Sequence, residues 1–195
     1  MYKNLFFVLS LFSIASVSAM KKDIFALGQY DRAQLQAIAL VNAAIQGNEA
    51  MVQRLIGLGV DVNRPDPKGH SALIVASQRG QLSIVKMLLK NGANVNVKKA
   101  GNDYFALLMA VAKGYYPIVK LLLDNGADIN MVGMDGATAL HMAALYGHDR
   151  IVRLLLVRGA DRNLLDAFGR TPLNLAQMRG HVGVVRLLTQ EGSAP

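Results

Sequence analysis

Cysteine and tryptophan are absent from this 195-residue sequence, and aromatic residues make up only 6% of it. Without cysteine the chain has neither a disulfide framework nor a thiolate for metal binding or nucleophilic catalysis. No long charged or low-complexity run divides the sequence. We therefore expect one substantial domain, held together by the aliphatic residues that dominate its 52% hydrophobic content.

Acidic residues are in short supply. The chain has 21 lysines and arginines but 13 aspartates and glutamates, which gives a net charge of +8. Such a charge favours acidic partners and also allows loose binding to nucleic acid or to an anionic membrane. The alternative is that the charge serves solubility alone.

Groups that would support catalysis are also missing from the pattern. The sequence shows no nucleophile beside a base, no paired carboxylates and no phosphate-binding loop, so we predict no catalytic, cofactor-binding or metal-binding residues. The histidines are His70, His141, His148 and His181. Three of them stand at recurring positions that indicate structural roles, while His70 has no predicted metal ligand beside it. The aspartates of recurring turns are Asp61, Asp128 and Asp161, and hydrogen bonding within those turns explains them better than calcium binding.

A 33-residue period organises the rest of the chain and is clearest between Gly136 and Asn163. Thr138 is placed to cap a short helix, which Gly147 ends, and a second helix follows up to Gly159. Neither helix is long enough to be stable alone in water, so each unit needs neighbours. Five copies are predicted, at approximately 31–63, 64–96, 97–130, 131–163 and 164–192.

The period and its landmarks resemble the ankyrin repeat, whose opening motif is T-P-L-H-x-A. The best matches are Thr138-Ala139-Leu140-His141 and Thr171-Pro172-Leu173-Asn174, and the resemblance covers roughly residues 32–192. It implies an all-α, ankyrin-repeat solenoid of five helix–turn–helix repeats with projecting turns. It further implies that the ring of His141 bridges backbone groups of adjacent turns. The expected function is non-catalytic binding of a protein partner through the concave face, without a cofactor.

Residues 1–19 do not fit the repeats and have the layout of a secretory signal peptide. Lys3 gives a basic start, residues 5–17 are apolar, and small side chains precede the predicted cleavage between Ala19 and Met20. Cleavage would leave an ankyrin repeat domain of residues 20–195 without a transmembrane segment. The alternative is an uncleaved anchor, but its apolar core is shorter than the roughly 20 residues that span a bilayer.

An exported, compact chain without cysteine is similar to bacterial envelope proteins, and we predict a periplasmic location. The alternative is secretion to the outside, where the protein would act as an effector on a host protein. Resemblance to exported bacterial ankyrin proteins implies support of an envelope enzyme, such as one that handles peroxide.

The third repeat departs from the pattern. Asn96 to Gly114 spans 18 residues where the equivalent intervals span 17, so one extra residue lies within 97–104. Phe105 occupies the position of the capping threonine, and we predict that Asp103 caps this helix instead.

Three further local features are predicted. Asp31 should cap a first helix that runs to Ile45 and is longer than its counterparts. Ser71 replaces the capping threonine of the second repeat, and Leu154 should lie in the core, so that alanine there leaves a cavity.

Binding residues are predicted where turns and first helices depart from the repeat framework. The second and third repeats supply Arg64, Lys68, Arg79, Lys98, Lys99, Tyr104 and Lys113. The fourth and fifth supply Val132, Met134, Leu145, Tyr146, Phe168, Arg170, Met178 and Arg179. We predict a monomer whose protein partner carries an acidic patch beside an apolar one. The alternatives are that these apolar residues only pack between repeats, or that the basic turns bind a polyanion or a membrane surface without nucleic-acid specificity.

Overall fold

The computed structural model describes residues 30–99 and 103–190. This part of the chain forms ten α-helices and no strands. They are α1 (Arg32–Gln46), α2 (Glu49–Gly57), α3 (Ala72–Arg79), α4 (Leu82–Lys90), α5 (Ala106–Ala112), α6 (Tyr116–Asp124), α7 (Ala139–Tyr146), α8 (Asp149–Val157), α9 (Pro172–Arg179) and α10 (Val182–Thr189). Each predicted repeat contains one consecutive pair. The predicted signal peptide, residues 1–19, lies outside the described residues.

The helices form two layers. The first helices of successive pairs (α1, α3, α5, α7, α9) pack side by side, and the second helices (α2, α4, α6, α8, α10) pack behind them. The first helices can approach one another closely because each of them has a small, buried alanine at the equivalent position. These residues are Ala43, Ala76, Ala110, Ala143 and Ala176. The apolar core is therefore continuous along the array, as in other solenoids.

Helix starts confirm the capping predictions for Asp31 and Thr138. Asp31 and Gln34 form a reciprocal capping box at α1, which is longer than the other first helices. Thr138 and His141 form the same arrangement at α7. Thr171 accepts a hydrogen bond from the backbone N–H of Asn174 at 3.2 Å. These side chains satisfy amides that the first turn of a helix leaves unpaired.

Two capping predictions are wrong. Asp103 does not cap α5: its backbone has a positive φ of 46°, and its carboxylate lies 3.9 Å from Nζ of Lys98. Phe105 itself occupies the N-cap position, buried and without a side-chain hydrogen bond, in an antiparallel bridge with Lys98. Ser71 at the start of α3 is likewise buried and makes no capping bond. At both sites the side chain is buried instead of capping the first turn.

Asparagine side chains join one turn to the next. The Nδ2 of Asn63 donates to the carbonyl of Gly92 at 2.9 Å, and its Oδ1 accepts from the N–H of Asn94 at 2.7 Å. Asn96 makes the equivalent pair of bonds to the following repeat. These asparagine bridges hold successive repeats in a fixed register, because backbone groups that would otherwise lack a partner are satisfied across the boundary.

After the first helices of the second to fifth repeats, the side chain that follows the helix-ending glycine packs on the equivalent glycine of the preceding repeat. The ring of His181 covers Gly147 so closely that a Cβ there would lie 2.6 Å from Nδ1. Its Nε2 donates to the carbonyl of Leu145 at 3.1 Å. His148 covers Gly114 in the same way, although its buried Nε2 has no hydrogen-bond partner among the described residues. Both histidines thus have the predicted structural roles.

Candidate protein-binding surface

An open groove of about 240 Å³ runs between the turns and the first helices of the third, fourth and fifth repeats. Apolar side chains supply most of its lining. The lining residues are Tyr104, Leu108, Met109, Met134, Asp135, Ala137, Met142, Leu145, Asp166, Phe168, Arg170 and Leu175. A concave apolar surface with a few polar groups is the kind of site that binds ligands and partner side chains. We call this site the inner groove.

One wall of the inner groove is fixed by an ion pair. The buried carboxylate of Asp166 accepts from Nε of Arg170 at 2.7 Å and from the backbone N–H groups of Phe168 and Arg170, each at 2.9 Å. Burial acts to raise the pKa of Asp166, but the backbone and guanidinium hydrogen bonds of Arg170 outweigh it and lower the pKa below its usual range. The guanidinium carbon lies 4.6 Å from the centre of the Phe168 ring. Phe168 is therefore held in place although 66% of it is exposed.

The neighbouring turn supplies the other wall. Asp135 has a left-handed backbone with φ of 57°, and its carbonyl accepts from the N–H of Ala167 at 2.8 Å. Gly136 is needed beside it, because a Cβ there would lie 2.7 Å from the same nitrogen. The close contact of the two turns fixes Met134, which is exposed at the edge of the inner groove.

His141 connects this turn system to the core. The N–H of Thr138 donates to Nδ1 of His141 at 3.2 Å, and Nε2 donates to the carbonyl of Arg170 at 3.0 Å. The ring is fully buried, and burial lowers its pKa. The predicted bridge between adjacent turns is confirmed, and it sets the position of the turn that carries Phe168 and Arg170.

A second exposed feature lies at the ends of the first helices. Arg79, Lys113, Tyr146 and Arg179 occupy equivalent positions, each directly before a helix-ending glycine, and all are exposed. We call these four residues the inner row. Tyr146 is half exposed, and its ring centre lies 6.1 Å from that of His148. The basic residues of this row therefore extend from the second repeat to the fifth and are not confined to one half of the molecule.

The structure places the other predicted site residues outside the inner groove. Arg64 lies 3.6 Å from Asp31, and Nζ of Lys98 donates to the carbonyl of Val132 at 2.9 Å. Lys68 and Lys99 lie on turns, and Met178 is 69% exposed at the end of α9. The inner groove thus brings together five of the predicted residues, namely Tyr104, Met134, Leu145, Phe168 and Arg170.

Sequence reasoning missed several residues of this surface. Met109, Met142 and Leu175 occupy the same position in three successive repeats and form the floor of the inner groove. Outside the groove, on the turn before α3, Asp66 was missed as the partner of His70, whose Nδ1 lies 2.9 Å from its Oδ2. Aligning the repeats at a 33-residue offset would have found the floor residues, because equivalent positions face the same way in every repeat.

Stacked helical pairs with projecting turns and a concave groove define a helical repeat solenoid. The family model described as "Ankyrin repeats (3 copies)" matches residues 22–99 and 107–195. The chain belongs to the ankyrin repeat family. Its repeats are a protein–protein interaction module, and members of this family are typically non-enzymatic.

Relatives match shorter stretches. A 64-residue stretch is 41% identical to ankyrin repeat domain-containing protein 29 of Danio rerio and covers 32% of this chain and 22% of that protein. A 59-residue stretch is 36% identical to transient receptor potential cation channel subfamily A member 1 of Homo sapiens and covers 30% of this chain and 5% of the channel. The alignments thus span less than a quarter of either relative. Within residues 30–99 and 103–190, no helix combines the length and apolar character needed to cross a bilayer.

Proposed function

We propose that this protein is an exported, non-catalytic binding module that holds a partner protein in the inner groove and against the inner row. The observation that carries the proposal is the geometry around Phe168. An aromatic ring with two-thirds of its surface exposed is held by the Asp166–Arg170 pair in an apolar groove. Rigid exposed aromatic residues beside an apolar cavity are typical anchors of protein interfaces.

The inner row adds charge to this surface. In the part of the chain that the structure describes, Arg79, Lys113 and Arg179 make no ion pair. These three side chains favour a partner whose acidic groups lie beside its apolar anchor. They would raise the rate of encounter and fix orientation, while the apolar groove supplies most of the affinity.

The location is proposed from the first 19 residues. Their signal-peptide layout supports export of residues 20–195, most simply to the periplasm of a bacterium, with secretion to the outside as the alternative. A non-catalytic binder in that compartment would support another envelope protein, such as a peroxide-handling enzyme. Osmotic-shock fractionation tests the location, and an N-terminus at Met20 in the periplasmic fraction is the expected result.

Affinity capture from a periplasmic extract tests the binding. The baits are residues 20–195, a groove variant (Met134→Ala, Phe168→Ala) and a row variant (Arg79→Glu, Lys113→Glu, Arg179→Glu). A control bait carries Lys86→Glu, Arg153→Glu and Arg186→Glu on the second helices, which changes the charge equally on the opposite layer. Equal helicity and thermal stability are checked first.

We expect one protein to be retained by the native and control baits and lost from the other two. Retention of that protein by the groove variant would remove the groove from the proposal. Retention of the same proteins by all four baits would place the binding site elsewhere on the molecule.

A further inference from the structure

The outer layer carries a row of cations. Lys86, Lys120, Arg153 and Arg186 occupy the same position in α4, α6, α8 and α10, and all four are exposed. We call them the outer row. Because each repeat places its second helix beside the previous one, equivalent residues form a line across the outer surface. The inner groove and inner row belong to the first helices and turns, so the outer row is a separate surface.

Most of this charge is not neutralised. Within the described ranges, Lys120 alone of the outer row has a carboxylate partner, at 2.7 Å from Asp124. The same carboxylate accepts from Arg158 at 2.7 Å, and the hydrogen bonds from these two cations hold the pKa of Asp124 below its usual range. Asp124 thus forms ion pairs with two cations. No ion pair among the described residues involves the other three members of the outer row, Lys86, Arg153 and Arg186.

Exposed aliphatic side chains lie beside these cations. Val157 is 73% exposed and comes four residues after Arg153, and Val182 is 70% exposed and comes four residues before Arg186. Residues four apart on a helix lie on the same face. Each of these helices therefore presents a cation and a valine side by side to solvent.

We propose that the outer row docks this protein on an anionic lipid bilayer. Headgroups move laterally, so a bilayer can match cations at any fixed spacing, and it attracts each basic residue held close to its surface. Aliphatic side chains beside the cations can enter the boundary between headgroups and acyl chains. This orientation leaves the inner groove facing away from the membrane and free to hold a partner.

The same face fits a nucleic acid poorly. Proteins that bind single strands without sequence preference stack bases on exposed aromatic rings. Tyr116 is half-buried, and its ring is covered by Arg150, whose guanidinium carbon lies 4.9 Å from the ring centre. Valines beside the cations offer no such stacking surface.

Vesicle co-sedimentation of residues 20–195 tests the proposal. The probes are phosphatidylcholine vesicles with and without about 30 mol% phosphatidylglycerol, in low and high salt. The outer variant carries Lys86→Glu, Arg153→Glu and Arg186→Glu, and its matched control carries Arg79→Glu, Lys113→Glu and Arg179→Glu on the inner row. Both triple variants change the net charge equally, and each is shown beforehand to keep native helicity and thermal stability.

We expect the native chain to bind only the anionic vesicles, and less in high salt. The outer variant should lose affinity at least about a hundredfold, and the inner-row control no more than about fivefold. Should a triple variant unfold, the glutamine substitutions at the same positions replace it. A Val157→Ser, Val182→Ser variant should bind anionic vesicles several-fold less tightly.

Equal losses in the two triple variants would overturn the proposal, because net charge would then explain the binding. So would absence of native binding to anionic vesicles, or tighter binding of a DNA duplex through the same outer row. Partner capture by the inner groove is measured without vesicles, so its failure and the failure of lipid docking are distinguishable.

Discussion

At the scale of single residues, His141 does most to join the core to the binding surface. Its ring accepts from Thr138 on one side and donates to the carbonyl of Arg170 on the other. Burial lowers its pKa, so the neutral ring is the form that the folded protein favours. In the unfolded chain the same group has its ordinary pKa of about 6.5. Folding therefore opposes protonation of this ring.

Because the pKa of His141 is lower in the folded chain than in the unfolded chain, we predict that the protein loses stability under mildly acidic conditions. The contribution of His141 to the free energy of unfolding is complete above pH 6.5 and is lost as the pH falls towards the lower pKa of the folded state. A His141→Asn variant keeps a capping group, as Asn174 does naturally after Thr171. It should be less stable by roughly 1–3 kcal/mol at pH 7.5, because the carbonyl of Arg170 loses its donor.

Urea unfolding of both proteins at pH 7.5 and 5.5 measures the effect. The difference in the free energy of unfolding between the two proteins should be smaller at pH 5.5, because only the native protein carries the buried imidazole. A gap of constant size would show that the titration of His141 does not contribute. The remaining histidines are common to both proteins and cancel in the comparison.

Leu154 and Leu155 are neighbours with different burial, and the core prediction for Leu154 needs correction. Leu155 has no exposed surface, whereas Leu154 is only partly buried. Leu155→Ala should destabilise the protein by about 2–5 kcal/mol through the cavity it leaves, and Leu154→Ala by clearly less. Chemical denaturation ranks the two variants, and an equal or reversed ranking would contradict the burial argument.

At the scale of elements, the stacking of His181 on Gly147 can be separated from the backbone requirement for glycine. Gly147 and Gly159 both have positive φ, 70° and 86°, but a Cβ at Gly159 would meet nothing within 4 Å. Alanine at either site should cost about 1–2 kcal/mol for the left-handed backbone. Gly147→Ala should cost about 1–3 kcal/mol more, because the ring of His181 must move. Thermal unfolding gives the difference, and similar values for both variants would show that the ring adapts freely.

The helices themselves were largely predictable from the sequence, and the reasons are local. One short stretch contains every signal that α7 needs. Thr138 caps its start, Gly147 ends it, and the apolar positions between them form its buried face. Phe105 shows where this reasoning fails. Its side chain is buried and its backbone pairs with Lys98, a contact across a turn that helix-capping rules do not describe.

The candidate site was predictable in part for a similar reason. Phe168 and Tyr104 stand out because they replace small or polar residues at turn positions. The Asp166–Arg170 pair that fixes Phe168 did not stand out, because four-residue spacing across a turn does not by itself indicate contact. Lys98 was predicted as a binding residue, yet its Nζ donates to the carbonyl of Val132 in the next repeat, and such long-range contacts are not visible in sequence spacing.

At the scale of the whole molecule, chemical denaturation without tension should unfold the array in one transition, and the stability of the array should depend on the number of repeats. α7 and α8 bury one side against α9 and α10, and His141 bonds to a carbonyl of the last repeat. Deleting residues 164–195 should therefore lower the urea midpoint and reduce the slope of the transition by roughly a fifth, in proportion to the surface removed. Circular dichroism during urea titration checks both values. An unchanged midpoint would mean that the last repeat contributes nothing to the others.

The asparagine bridges have a mechanical consequence. Asn63 and Asn96 fasten the first repeat to the second and the second to the third through the same two hydrogen bonds, so a tensile load across these repeats passes through equivalent links in series. Links in series yield one after another, and each released repeat of 33 residues lengthens the chain by about 110 Å. The protein would then behave as an extensible tether, lengthening in steps under tension while the repeats that remain folded keep their shape.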